Sequence, residues 1–218
     1  MLLLATSAAL RAQTTVGVDA TAPWQGFMNV FNLPDDGGAF LFGSGWGTVD
    51  LRATFSDSTL SLFPNSIGDT AEYWYEGGGG PGSAGNKTME ANMYVETTGS
   101  LSGQVVTFTA EVLSNTLVTP YTSIAFIKDF AADYSSLNIA MIPLDPGVFS
   151  ISLETISDSS RHEQYGFTTV GPDVWITDAA PLGSVQIAQI PEPRGLALAL
   201  AGVLGLCVMH RPRRRSVS

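Results

Sequence analysis

Cysteine occurs once in the 218 residues, at Cys207 near the C-terminus. No disulfide can brace the body of the chain, so its stability has to come from packing. Cys207 itself lies in an apolar run and reads as a small membrane-buried residue. Charge is scarce as well, 14% of residues against a norm of about 25%. Positive charge is the scarcest. Residues 13–190 hold 19 of the 20 acidic residues, all but Glu192, and only Arg52, Lys87, Lys128 and Arg161 in return, which leaves that stretch near −15. Such a surface repels phosphate backbones, which excludes nucleic acid as a partner and makes neutral polymers or divalent cations easier to accommodate. No segment of the body has a 3.6-residue apolar period. That argues against a helical bundle and against the crossover helices of a parallel α/β sheet.

What is present instead is a period of two. In "TVDLRATF" Val49, Leu51, Ala53 and Phe55 share one face. "TMEANMYVET" repeats the pattern with Met89, Ala91, Met93 and Val95, and "VVTFTAEV" with Val106, Phe108, Ala110 and Val112. "VFSISLET" adds Phe149, Ile151 and Leu153, while "SIAFIKDF" is apolar on both faces, as a more central strand would be. Turn signals fall between them at Asp35-Asp36-Gly37-Gly38, Pro64-Asn65, the Gly77–Gly85 loop, Ser102-Gly103 and Asp145-Pro146-Gly147. Short strands with polar outer faces predict an all-β fold for residues 13–189, an antiparallel β-sandwich of jelly-roll kind. No internal repeat suggests a propeller or a β-helix.

The two ends read as addresses. "MLLLATSAALRA", residues 1–12, resembles the h-region and cleavage zone of a secretory signal peptide. It has no positive n-region, as would follow from a start lying further upstream. At the other end a charge-free run of fifteen residues, Gly195 to Met209, is followed at once by Arg211, Arg213, Arg214 and Arg215. As a helix over about 195–210 this run is short for a hydrocarbon core of about 30 Å. The basic flank nevertheless marks a single C-terminal transmembrane helix whose arginines stay cytoplasmic and whose preceding domain lies outside. Pro191-Glu192-Pro193 precedes the run, and its prolines keep the motif extended and separate from the helix.

Together, residues 190–215 resemble the PEP-CTERM sorting tail of exported bacterial proteins, a tail also described as an ice-binding protein C-terminal domain. "QGFMNVFNLPDDGGAFLFGSGWGTVDLRATF" and the later "QYGFTTVGPDVW" resemble passenger domains of other PEP-CTERM proteins. The resemblance implies an exosortase as processing partner. It also implies a transient stay in the inner membrane and delivery to the cell envelope or an exopolysaccharide matrix.

Three further stretches bear on chemistry. "GPGSAGNKT" approaches a phosphate-binding loop, but Asn86 interrupts the spacing and a strand pattern follows where a helix is needed. His162, the only histidine before residue 210, sits in "DSSRHEQ" and reads as part of a solvated loop. A lone histidine beside Asp158, Ser159 and Ser160 cannot assemble a triad from nearest neighbours. Asp35 with Asp36, Asp69 with Glu72, and Asp129 with Asp133 offer hard oxygen ligands for a structural calcium ion, though none has EF-hand spacing. No other cofactor and no catalytic residue is indicated.

The candidate binding residues are aromatic: Trp24, Trp46, Tyr73, Trp74, Tyr75 and Trp175, all in segments rich in Gly, Asn and Asp. Flat rings stack on the C–H faces of sugars while nearby amides and carboxylates take the hydroxyls. The expected role is that of a non-enzymatic structural or adhesive matrix protein, with a carbohydrate-binding module as the alternative.

Overall fold

The structure is a computed structural model describing residues 11–190. Pro191-Glu192-Pro193, the run at 195–210, Arg211, Arg213, Arg214 and Arg215, and all but the last two residues of the expected signal peptide lie outside the described residues. No helix among the described residues is long and apolar enough to cross a membrane.

Among the described residues twelve strands follow one another: β1 (Gln13–Val16), β2 (Gln25–Asn32), β3 (Phe40–Trp46), β4 (Ala53–Ser56), β5 (Thr59–Leu62), β6 (Lys87–Thr98), β7 (Val105–Asn115), β8 (Thr122–Phe130), β9 (Leu137–Pro143), β10 (Gly147–Glu154), β11 (His162–Pro172) and β12 (Val185–Ala188). They form two six-stranded sheets. The first runs β7-β12-β5-β4, with β10 along one side of β7. On the other side β1 pairs with Val105–Phe108 and β12 with residues 111–115. The second sheet has the order β3-β2-β6-β11-β8-β9. Pairing is antiparallel throughout except for β1, which runs parallel to β7.

The apolar alternation explains the layering. Met89, Ala91, Met93 and Val95 of β6 are all buried, as are Val106, Phe108, Ala110 and Val112 of β7 and Phe149, Ile151 and Leu153 of β10. The two sheets bury these faces against each other. At the centre the Phe108 ring lies 5.3 Å from Phe149, 5.4 Å from Tyr165 and 5.3 Å from Phe167. Fully burying each such side chain contributes roughly 1.5–3 kcal/mol. β8 has neighbours on both sides, β11 and β9, in keeping with its two apolar faces.

Two expectations are corrected. The face Val49-Leu51-Ala53-Phe55 does not belong to one strand. Hydrogen bonds from Leu51 N to Gly47 O and from Ala53 N to Thr48 O close a turn, Arg52 takes a φ of 58°, and Val49 is left exposed. Strand β4 begins only at Ala53. His162 is not in a solvated loop either: it opens β11, opposite Thr98 of β6 and Phe130 of β8. "GPGSAGNKT" runs directly into β6, so no helix N-terminus is presented to a phosphate there.

Candidate functional site

Strand alternation sends every second residue of the second sheet away from the core, and among the described residues no further layer covers that outer face at its middle. There β2 contributes Gln25, Phe27 and Asn29, β6 Asn92, Tyr94 and Glu96, β11 Gln164, and β8 Lys128 and Phe130. Tyr134 closes over them from the β8–β9 turn. These residues line a groove of about 520 Å³, within the range of small-ligand sites. Gly166 of β11 lies in register between Tyr94 of β6 and Phe126 of β8 and has no side chain. A Cβ at Gly166 would come within 2.7 Å of the Tyr94 Cα, so the close approach of β6 and β11 requires glycine there.

A hydrogen-bonded polar floor spans four strands. Asn29 Nδ2 donates to Glu90 Oε1 at 2.8 Å, and Asn92 Nδ2 donates to the same oxygen at 3.2 Å. Asn92 Oδ1 accepts from Thr168 Oγ1 at 2.7 Å and from Lys128 Nζ at 3.2 Å. The Lys128 ammonium also lies 4.0 Å from the centre of the Phe126 ring. Burial lowers the Lys128 pKa, partly offset by the Glu90 charge.

The wall is built the same way. Gln164 Nε2 donates to Glu96 Oε2 at 2.6 Å, and the Tyr134 hydroxyl donates to Glu96 Oε1 at 3.3 Å. The Tyr134 ring stacks on His162, with centroids 4.6 Å apart and planes 5° from parallel, and Phe130 lies 5.3 Å away. Burial first, and the Glu96 charge second, raise the pKa of both the Tyr94 and Tyr134 hydroxyls, which therefore stay protonated donors.

These side chains offer amides, hydroxyls, one ammonium and aromatic faces, the set that recognises a polyhydroxylated ligand. Glu90 and Glu96 are six residues apart along one face of β6, about 20 Å at a rise of about 3.4 Å per residue. Paired-carboxylate sugar hydrolysis needs about 5–9.5 Å.

None of the six aromatics expected from the sequence lines this groove. Tyr75 is a correction. It is fully buried, its hydroxyl donating to Ile67 O at 2.7 Å and accepting from Ile67 N at 3.1 Å, so no ligand reaches it. Trp175 packs edge-on against Tyr75 at 5.5 Å. Trp24 caps the core, 6.3 Å from Phe167, and its Nε1 donates to Asp19 O. Trp46 also packs against the core, its Nε1 donating to Ser44 Oγ at 2.8 Å. Trp74 is half-buried between Tyr73 and Phe42. Tyr73 alone of the six is exposed, with the Lys87 ammonium 4.6 Å from its ring centre. The set disperses over separate contacts and forms no common platform.

Of the carboxylates expected to offer calcium ligands, Asp129, Asp133 and Asp69 are engaged elsewhere. Asp129 is 0% exposed; its Oδ1 accepts from Arg161 Nε at 2.6 Å and its Oδ2 from Ile156 N at 2.9 Å. It is thus a core ion pair and cannot join Asp133, whose Oδ1 accepts from the backbone N–H and hydroxyl of Ser135 in its own turn. Asp69 Oδ1 accepts from Ala71 N at 2.9 Å, and Asp35 and Asp36 lie in an exposed 3₁₀ turn. Among the described residues no group of three or more His, Cys, Asp or Glu is placed to hold a metal ion.

The groove residues had one readable signal, the polar half of the β6 alternation: Asn92, Tyr94 and Glu96 stand between the buried Ala91, Met93 and Val95. Nothing in the local sequence joins them to Gln25, Lys128 and Gln164. Only the strand order does.

No family model matches the chain, and no curated protein matches it. Two solved structures are similar to it at low score. TmCBM61 in complex with β-1,4-galactotriose has a TM-score of 0.36 and 7% identity, over 77% of this chain and 84% of that one. The CBM22-2 xylan-binding domain from Paenibacillus barcinonensis Xyn10C has a TM-score of 0.29 and 9% identity, over 74% of this chain and 96% of that one.

Proposed function

We propose that residues 13–189 form a carbohydrate-binding module that holds a polysaccharide in the groove of the second sheet. The observation that carries this reading is the composition of the groove. Asn29, Asn92 and Lys128, tied together by hydrogen bonds that include Glu90 and Thr168, lie beside the rings of Phe27, Tyr94, Phe130 and Tyr134. Sugar hydroxyls exchange hydrogen bonds with the floor while C–H faces rest on the rings. The reaction class is binding alone, with no catalysed step and no cofactor.

In this proposal the chain is exported, anchored for a time in the inner membrane by its C-terminal run, and processed by an exosortase at the tail that begins with Pro191-Glu192-Pro193. It then acts in the envelope or the exopolysaccharide matrix. The structural or adhesive role expected from the sequence becomes a consequence of binding, since a module fixed to matrix glycan is itself adhesive. Support for the route is the resemblance of residues 190–215 to a sorting tail and the acidic, disulfide-free character of the domain.

The test is affinity electrophoresis against β-1,4-galactan, xylan, β-glucan, mannan and chitosan. Retardation by at least one, lost in Tyr134→Ala, is expected. No retardation by any of the five from a folded protein overturns the proposal.

A further inference from the structure

Resting on the reading of the groove as a glycan site, we infer that its preferred ligand is a glycan of free amino sugars, with a protonated sugar amine held at Glu96 among aromatic rings. The charges of the groove are unevenly placed. Lys128, Gln164 and Glu96 stand in one row across β8, β11 and β6. From that row the Lys128 ammonium leans to Asn92, four residues before Glu96 on β6, and over the Phe126 ring. Asn92 and Asn29 share Glu90 Oε1 as acceptor, and the Glu90 charge acts on Lys128. Lys128 is the single ammonium among the lining residues, and Glu90 balances it at the Asn92 end.

Glu96, at the other end, has no such balance. Its side chain is only 19% exposed, and among the described residues no lysine or arginine lies within 4.0 Å of its carboxylate. The His162 Nδ1 is 3.9 Å from Oε1, but it is engaged with Thr98 Oγ1 at 3.0 Å. Oε2 accepts from Gln164 Nε2 at 2.6 Å. Oε1 has only a share of the Tyr134 hydroxyl, which is 3.3 Å from it and 3.4 Å from Oε2. A carboxylate oxygen can take two donors, so Oε1 has room for another. Holding a carboxylate largely out of water without a cation is costly, and a ligand ammonium supplies what the fold does not. Tyr94, Phe130 and Tyr134 line the same groove, and aromatic faces attract a cation within about 6 Å of the ring centre. A neutral sugar leaves the Glu96 charge unanswered, and a uronic acid sets a second negative charge beside it. The acidic body, with 19 carboxylates against four basic residues over 13–190, draws a cationic chain from a distance.

The experiment is isothermal titration in neutral buffer, which leaves a share of the sugar amines protonated. The titrants are hexamers of β-1,4-linked glucosamine, N-acetylglucosamine, glucose, galactose, xylose and mannose, and of galacturonic acid. The proteins are the wild type, Glu96→Gln and Glu111→Gln, each checked for folding by its melting curve. Glu96→Gln keeps an oxygen to accept from Gln164 and removes the charge. Glu111→Gln removes the same charge from an exposed position on β7 of the first sheet, away from the groove. The wild type should bind the glucosamine hexamer at least about tenfold more tightly than its N-acetylated counterpart. That preference should vanish in Glu96→Gln and persist in Glu111→Gln. Equal or tighter wild-type binding of the N-acetylated, a neutral or the galacturonic acid hexamer overturns the amino-sugar inference and leaves the groove proposal intact. So does a preference that survives Glu96→Gln, or one that falls equally in Glu111→Gln, as diffuse charge attraction would make it. Failure of every hexamer, together with failure of the five polysaccharides, counts against the groove itself and so against both.

Discussion

The two faces of the second sheet are made by the same strands and meet different fates. On β6, Met89, Ala91, Met93 and Val95 face the other sheet, and Glu90, Asn92, Tyr94 and Glu96 face away. The inner face is packed shut by rings and aliphatic chains. Asn92, Gln164 and Thr168 on the outer face are also buried, yet among the described residues no sheet lies over them. They are shielded by one another and by the groove walls. Burial of polar groups beneath an open trough, with hydrogen bonds linking them, sets a binding surface apart from a merely solvated one.

Substitutions can separate the faces. The largest effect belongs to the inner one: Phe167→Ala should destabilise the domain by about 3–5 kcal/mol. Chemical denaturation should show the loss, while the molecules still folded keep their glycan affinity. Next is the outer face. Tyr134 is 51% exposed and touches the core little, so Tyr134→Ala should leave the thermal midpoint nearly unchanged. Its glycan affinity should fall about thirtyfold, the ~2 kcal/mol of an aromatic hot spot. If both variants lose stability and binding in parallel, the distinction between the faces is wrong.

A smaller, pH-dependent effect sits in the buried layer. Asp173 is nearly fully buried, its Oδ1 accepting from Lys87 N at 3.0 Å and its Oδ2 having no partner. Burial pushes its carboxyl up to about 6 from 3.8. The folded chain thus holds a proton there that the unfolded chain has released. This contribution favours the fold below about pH 4 and is lost as pH rises through about 6. Asp173→Asn keeps the acceptor for Lys87 N and removes the buried charge. It should raise stability by about 2 kcal/mol at pH 8 and leave it unchanged at pH 4. Burial raises Glu163 in the same direction, so a residual slope should persist in the variant. Melting curves across that range check both statements.

The layered β architecture was legible because the apolar half of the alternation is written plainly in β6, β7 and β10. Strand β11 was not legible. Its groove-facing residues are Gln164, Gly166 and Thr168, polar or small, and it opens on His162 next to a serine-rich turn, so it carries no outward signature of a strand. It is nevertheless the strand between β6 and β8, and without it the groove has no floor. Two of the aromatic candidates, Tyr75 and Trp24, were drawn into the packing for a related reason. Tyr75 and Trp24 carry polar tips that find backbone partners inside the fold, which lets large rings serve as core in a Gly-rich segment. Residue type alone does not distinguish such a ring from one that waits for a sugar.

That distinction also supplies the most direct test. Binding to the five-polysaccharide panel should be measured side by side for the wild type, Tyr134→Ala and Trp74→Ala, each checked for folding. Binding by the wild type, loss in Tyr134→Ala and retention in Trp74→Ala are expected. Retention in Tyr134→Ala with loss in Trp74→Ala would contradict that expectation and move the site to the loop around Tyr73 and Trp74.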